Sequence, residues 1–186
     1  MLSSLRLTDE EILLRPFRLD DAPVLYYAVR ESLKELSPWM SWATNGYSEQ
    51  TAREYIAIAR ARSEEHTFYA FAILRGEDFL GACTLSSIHP IYHFCNLGYW
   101  VRTSCHGQGI AGRAAKLTAR FAFEQLGLIR VEIVIAVGNQ ASLRVAEKIG
   151  AHPEGVLLNR MVMGKSISDA HMYSLLPSDF GLTARL

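Results

Sequence analysis

Cysteine is scarce in this chain of 186 residues: Cys83, Cys95 and Cys105 are an odd number, with no C-x-x-C spacing. That excludes a disulfide framework and a zinc knuckle, and no metal is expected. A charge excess is also missing, since 19 Lys+Arg meet 19 Asp+Glu and the formal net charge is zero. General binders of nucleic acid or of acidic membranes lean on surplus Lys and Arg, so neither partner is expected. No apolar run approaches the roughly 20 residues of a membrane helix. The stretch Met1 to Glu11 has no signal-peptide apolar region, and the expected location is the cytoplasm. Internal repeats, low-complexity tracts and domain-sized linkers are absent as well.

What is present is apolar. Hydrophobic residues make up 49%, aromatic residues 10% and charged residues only 20%. Such a composition builds one full core over one domain and rules out a disordered chain. The zero net charge is unevenly distributed. Between Arg102 and Arg130 the bases Arg102, Arg113, Lys116, Arg120 and Arg130 face Glu124 alone, while the first 65 residues hold eleven acids against eight bases. A basic segment in a balanced protein points to a local anionic ligand.

Hydrophobic periodicity predicts a short strand at 12–15, stopped by Pro16, then a helix capped by Asp20 or Asp21 and running to Leu36. Ser37-Pro38 ends it, because the residue before proline avoids the helical region. Ser48 opens a second helix to about Ser63. Stretches 68–74, 79–88 and 94–101 read as consecutive strands, most simply an antiparallel meander. A helix over 111–126 presents Ala111, Ala114, Ala115, Thr118 and Ala122 on one face. Val131 to Val137 is a branched run suited to a strand buried on both sides, and Asn139 caps a further helix ending at Gly150. Weaker strand signals follow at 156–163 and 170–176. The predicted order is βααβββαβαββ, a single α/β (α+β) domain with a mixed sheet. Asp20, Asp21, Glu64 and Glu65 read as solvated helix ends.

The chemistry concentrates between Tyr99 and Arg113, in Tyr99-Trp100-Val101-Arg102-Thr103-Ser104-Cys105-His106-Gly107-Gln108-Gly109-Ile110-Ala111-Gly112-Arg113. A strand runs into a glycine-rich turn and then into a helix N-terminus. Glycines let backbone N–H groups converge, and the helix dipole adds positive potential, which together make a phosphate cradle. A nucleoside-triphosphate loop is excluded because no Gly-Lys-Ser/Thr follows. A dinucleotide site is a competing reading, since Gly107 to Gly112 spells G-x-G-x-x-G and Glu132 lies 20 residues further on. That fingerprint belongs, however, to the first strand–helix unit of a parallel sheet, and here three meander-like strands precede it.

His106-Gly107-Gln108-Gly109-Ile110-Ala111 resembles motif A of the GNAT acetyltransferases, Q/R-x-x-G-x-G/A, with His106 where Gln or Arg is usual. Leu14-Arg15-Pro16-Phe17 resembles the family's opening strand. Leu36-Ser37-Pro38-Trp39-Met40-Ser41-Trp42 resembles the L-x-P-W-x-x-W of its RimJ/RimL-type branch, and Leu97-Gly98-Tyr99-Trp100-Val101 the strand before the loop. Asn139-Gln140-Ala141-Ser142 with Glu147-Lys148-Ile149-Gly150-Ala151 resembles N-x-x-S…EKlGF. The blocks keep the family's order over about 11–177, which is read as the catalytic domain, with 178–186 as a tail. Asn96 stands where an acid is common, and Gly112-Arg113 where Thr-Glu is usual.

The resemblance implies a GNAT fold with a mostly antiparallel sheet flanked by helices, and transfer of acetyl from acetyl-CoA to an amine by direct attack on the thioester. It implies that His106, Gly107, Gln108, Gly109, Ile110, Ala111 and Gly112, with Arg102 nearby, hold the pyrophosphate. Strands 94–101 and 131–137 splay to admit the pantetheine arm, and backbone N–H groups near Trp100 and Val101 meet the oxyanion. Ser142 becomes the general acid to the leaving thiolate, with Asn139 steering the cofactor; from spacing alone both are equally a helix cap and its third residue. Glu132, His66, His93 and Glu65 are the candidate bases. For Glu132 the competing reading is a salt bridge. Trp39 and Trp42 wall the acceptor pocket or pack in the core, and Cys105 is a passive thiol beside the cofactor. The expected acceptor is a protein N-terminal α-amine, with a polyamine, antibiotic or peptide nucleotide as the alternative. A homodimer is among the family's common states. An NAD(P)-binding enzyme and a non-catalytic acyl-CoA-binding module are the other classes left open.

Overall fold

The computed structural model describes residues 4–164 and 166–184. Its strands are β1 (Leu7–Thr8), β2 (Leu13–Pro16), β3 (Tyr69–Arg75), β4 (Asp78–His89), β5 (Phe94–Val101), β6 (Arg130–Ala136), β7 (His152–Met163) and β8 (Ser166–Leu175). They form one sheet in the order β1-β2-β3-β4-β5-β6-β8-β7. Every neighbouring pair is antiparallel except β5–β6, which is parallel. The helices are α1 (Ala22–Glu31), α2 (Leu33–Leu36), α3 (Glu49–Glu64), α4 (Ile110–Glu124) and α5 (Gln140–Lys148). Apart from the two-residue β1 and the division of the first predicted helix into α1 and α2, the predicted order stands, as does the meander β3-β4-β5.

Strand alternation sorts the core onto two faces. Cys95 and Leu97 of β5 join Ala114, Ala115, Ala119 and Ala122 of α4 in one cluster. Trp100 joins Leu25 and Val29 of α1 and Ile56 of α3 in the other. Small residues let α4 lie close to the sheet, and Phe121 locks it there, edge-on to Tyr69 and Phe71 at 5.3 and 5.5 Å. Such pairs add about 1 kcal/mol each beyond burial.

Two local expectations are corrected. The helix predicted from Asp20 to Leu36 is broken at Ser32, which is fully buried and ends α1 in a non-helical conformation. Its hydroxyl is needed elsewhere: Ser32 Oγ accepts the Thr103 amide at 3.0 Å, tying the helix end to the turn after β5. Asp21 is no solvated helix end. It is only 7% exposed, grips Arg15 through both carboxylate oxygens at 2.6 and 2.7 Å, and accepts the Arg18 amide. Of the expected tail 178–186, Phe180 stacks edge-on to Phe123 and Leu182 packs on the core, while 185 and 186 lie outside the described residues.

Candidate active site

The parallel ladder between β5 and β6 has three rungs, Phe94–Arg130, Cys95–Val131 and Asn96–Glu132, and then stops. Beyond it Leu97–Val101 and Ile133–Ala136 diverge, each still held on its outer edge, β5 by β4 and β6 by β8. The result is a wedge-shaped notch with two backbone edges bare of strand partners, and such an edge recruits an extended group carrying amides of its own. Arg102 donates its amide to Leu80 O, so alternation turns the amide of Trp100 to β4 as well, and those of Tyr99 and Val101 into the notch. Gly81 confirms that orientation, because a Cβ there would meet Trp100 O at 2.2 Å. Of the amides near Trp100 and Val101 expected to meet the oxyanion, that of Val101 faces the notch together with that of Tyr99, and that of Trp100 faces β4.

At the wide end of the notch the chain passes through a short turn, Thr103–Cys105, into α4. Gly109 caps α4 with φ +78°, and a Cβ at Gly107 or Gly109 would meet nothing within 4 Å, so the space above the loop is open. Among the described residues no protein acceptor takes the amides of Gly107, Gln108 or Gly109, and the first turn of α4 leaves those of Ile110, Ala111 and Gly112 without intrahelical partners. These converging N–H groups fit a pyrophosphate.

His106 does not join them. Its amide goes to Thr103 O, and its ring Nε2 lies 3.0 Å from Val101 O, which makes it the donor. Arg102 does not join them either: its guanidinium is bound to Glu31 and to Phe79 O. The other arginines of the basic segment are paired too, Arg113 with distant Asp9 and Glu11, Arg120 with Glu124 one turn on, and Arg130 with Glu132 and Glu154. Among the described residues Lys116 has no such partner. What the loop offers an anion is therefore its backbone N–H groups rather than the surplus of four bases expected from the sequence. Glu31 also accepts the amide and hydroxyl of Ser104, and Arg102 with these donors holds its carboxyl down at about 2.

Asn139 caps α5, accepting the Ser142 amide at 3.1 Å through Oδ1, so the capping role is real. Ser142 Oγ lies 3.0 Å from Tyr99 Oη, a contact that no local spacing of residues reveals. On the opposite face, Glu132 accepts from Arg130 Nε at 2.8 Å and its side chain is 17% exposed, which is the salt bridge weighed as its competing role. Arg130 also serves Glu154, whose other donor is Ser174, so two carboxylates share one guanidinium and one negative charge is left over. Beside Glu132, Asn96 Oδ1 is buried and has no hydrogen-bond partner among the described residues. Glu65 and His66 end α3 on the far side of β3 and β4, His66 bonded to Tyr69, and His93 sits in the β4–β5 turn at the closed end.

Trp39 and Trp42 lie over the notch. The Trp39 ring stands 3.7 Å from where a Cβ on Gly138 would be, at the end of the β6 arm. Trp42, 42% exposed, packs on Trp100 of the β5 arm at 6.2 Å and on Tyr47. The segment between α2 and α3 thus bridges both arms. Beside it is a cavity of about 400 Å³ whose lining, among them Pro38, Met40, Ser41, Thr44 and Met163, includes no charged residue among those described.

A parallel pair of strands splayed inside an otherwise antiparallel sheet, with an amide-rich loop at its wide end, defines an acyl-CoA-dependent acyltransferase fold. The acetyltransferase (GNAT) domain family matches residues 11–152, and the chain belongs to that family. It is similar to the putative ribosomal N-acetyltransferase YdaF of Bacillus subtilis, 29% identical over 92% of this chain and 94% of that protein. It is 23% identical to the ribosomal-protein-serine acetyltransferase of Escherichia coli over 81% of this chain and 84% of that one. RimJ of Mycobacterium smegmatis, solved with a CoA-disulfide, has the same fold, with a TM-score of 0.85 at 23% identity over 93% of this chain and 85% of that chain. The protein is an acetyl-CoA-dependent N-acetyltransferase of RimJ/RimL type, and the dinucleotide and non-catalytic readings fall. Among the described residues no cluster fits a metal ion, and no helix is long and apolar enough to cross a membrane.

Proposed function

We propose that the acceptor is the N-terminal α-amine of a protein or peptide, within a catalytic domain spanning 11–177. The observation that carries this reading is the charge pattern on the acceptor side. Among the described residues the lining of the cavity beside Trp39 and Trp42 carries no charge, and the Arg130–Glu132–Glu154 cluster keeps a single negative charge. One amine on a neutral chain end fits that pattern, whereas a polyamine or aminoglycoside carries several cationic centres that need carboxylates along the groove. The names of the Bacillus subtilis and Escherichia coli relatives, a putative ribosomal N-acetyltransferase and a ribosomal-protein-serine acetyltransferase, support the same class. The location that goes with such partners is the cytoplasm.

The residues divide the work as follows. Amides of 107–112 hold the pyrophosphate, with Asn139 setting the start of α5 beside it. The bare edges of β5 and β6 grip the pantetheine arm, and the amides of Val101 and Tyr99 meet the oxyanion. The amine nitrogen bonds to the thioester carbon as the C–S bond breaks. Glu132 takes the proton of the amine, and Ser142 Oγ–H donates to the departing sulfur. Trp39 and Trp42 hold the acceptor over the notch. A thiol-release screen with acetyl-CoA tests the reading against peptides of varied N-terminal residue, polyamines and aminoglycosides. Turnover confined to peptides is expected; turnover confined to the small cations sinks it.

A further inference from the structure

One contact joins the two arms of the notch from behind. Tyr99 leaves β5 on the side of α4 and α5, and its Oη lies 3.0 Å from Ser142 Oγ and 3.3 Å from the Ser142 carbonyl oxygen. Ser142 rides on α5, which follows the β6 arm, so the phenol reaches from one arm to the helix carried by the other. The Ser142 amide is taken by Asn139, and among the described residues its hydroxyl has no hydrogen-bond partner but Tyr99. A serine hydroxyl has one proton and two lone pairs. Given to Tyr99, that proton is lost to chemistry. The phenol has a single proton and two acceptors in reach, Oγ and the more distant carbonyl; given to the nearer Oγ, it occupies a lone pair there and leaves the serine proton free to point elsewhere.

We propose that Tyr99 is a positioning residue, whose phenol donates to Ser142 Oγ and turns the only serine proton into the notch, toward the leaving sulfur. The proposal rests on the reading of Ser142 as donor to that sulfur. During transfer the amine nitrogen forms its bond to the thioester carbon, and the C–S electron pair departs with sulfur. The amine proton passes to Glu132 and on to water, while Ser142 keeps its proton and donates a hydrogen bond to the sulfur, which leaves as thiolate, so a turnover leaves serine and phenol as they began. Burial pushes the Tyr99 phenol up to about 12, so it remains a donor at neutral pH. Phenylalanine keeps the ring and its packing and removes only the donor.

The test is a double-variant cycle on the full chain. Tyr99→Phe is expected to lower kcat about tenfold, the loss of one well-placed hydrogen bond, with the KM for acetyl-CoA unchanged. Ser142→Ala is expected to lower kcat at least as much, and the double variant to fall no further, because one residue acts through the other. Normal turnover in Ser142→Ala removes the premise and the proposal with it. A slow Ser142→Ala beside a normal Tyr99→Phe, or losses that multiply in the double variant, overturns the role of Tyr99 alone. Where Tyr99→Phe folds poorly, a ring-fluorinated tyrosine at 99 keeps the shape and makes the phenol more acidic. The alkaline fall of kcat then moves to lower pH, and an unmoved profile overturns the proposal. Cys83, the titratable group directly across the ladder from Tyr99, is also pushed up to about 12 by burial, and because fluorination leaves it untouched, only the phenol moves the profile to lower pH.

Discussion

Asn96 faces Glu132 across the last rung of the parallel ladder, at the vertex where the notch opens. Both side chains point to the face that carries Trp100 and the two tryptophans above it. Asn96 brings a buried acceptor without a donor, and Glu132 brings a carboxylate of which only Oε1 is engaged by Arg130. An amide cannot take a proton at any working pH, so of this facing pair only Glu132 can act as the proposed base.

Glu132→Gln should therefore lower kcat by on the order of a hundredfold and flatten its acidic limb. The kcat profile is the one to measure, because it reports groups in the bound complex and leaves out the titration of the free amine. An acidic limb identical to that of the parent protein assigns Glu132 to its ion pair with Arg130 and removes it from the proton transfer.

How legible this site was depends on the range of the interaction. The glycine turn, the Ser48 and Asn139 caps and the strand order are local features, and each is written in a few adjacent residues. The Ser32 break answers to Thr103, 71 residues away, and Arg102 to Glu31 at the same separation. Arg113 answers to Glu11 at a separation of 102. Counting charge in a window treats such bases as free, and for that reason the basic segment looked like an anion site when its guanidinium groups are already held. The family resemblance named Ser142. It could not supply Tyr99, because the bond between them joins a strand to a helix 43 residues on.

Gly109 tests whether the loop works through its backbone. Its φ of +78° lies in the left-handed region, and no atom stands within 4 Å of an added Cβ, so substitution meets conformational rather than steric resistance. Gly109→Ala should destabilise by about 1–2 kcal/mol and weaken acetyl-CoA binding, with Gly109→Asn milder on both counts. Thermal denaturation alongside a CoA titration separates the two effects. Equal behaviour of Ala and Asn contradicts the backbone account.

Acid stability follows from Glu31. Its carboxyl falls from the ordinary 4.5 to about 2 in the fold, through Arg102 first and Ser104 second, and Glu154 behaves alike beside Arg130. The folded protein binds these protons less readily than the unfolded chain. Their stabilisation is complete above pH 4.5 and is lost as pH falls through about 2. Melting temperature should thus decline steadily below that upper value, and Glu31→Gln should start lower at neutral pH and decline less. A parallel pair of curves is the contrary result.

Trp39 and Trp42 distinguish core packing from acceptor binding, because they touch opposite arms of the notch while differing in exposure. Trp42→Ala removes an exposed ring that rests on Trp100 and Tyr47. Its expected effect is a rise of about tenfold in the KM for a peptide acceptor, with the KM for acetyl-CoA within twofold. Trp39→Ala removes the half-buried ring over Gly138, at the turn that delivers Asn139 and Ser142. Loss there should reach kcat as well as acceptor KM, since the ring braces the start of α5. If both variants only lower melting temperature and leave the steady-state constants unchanged, the tryptophans are packing residues, and the acceptor must approach the vertex from another side.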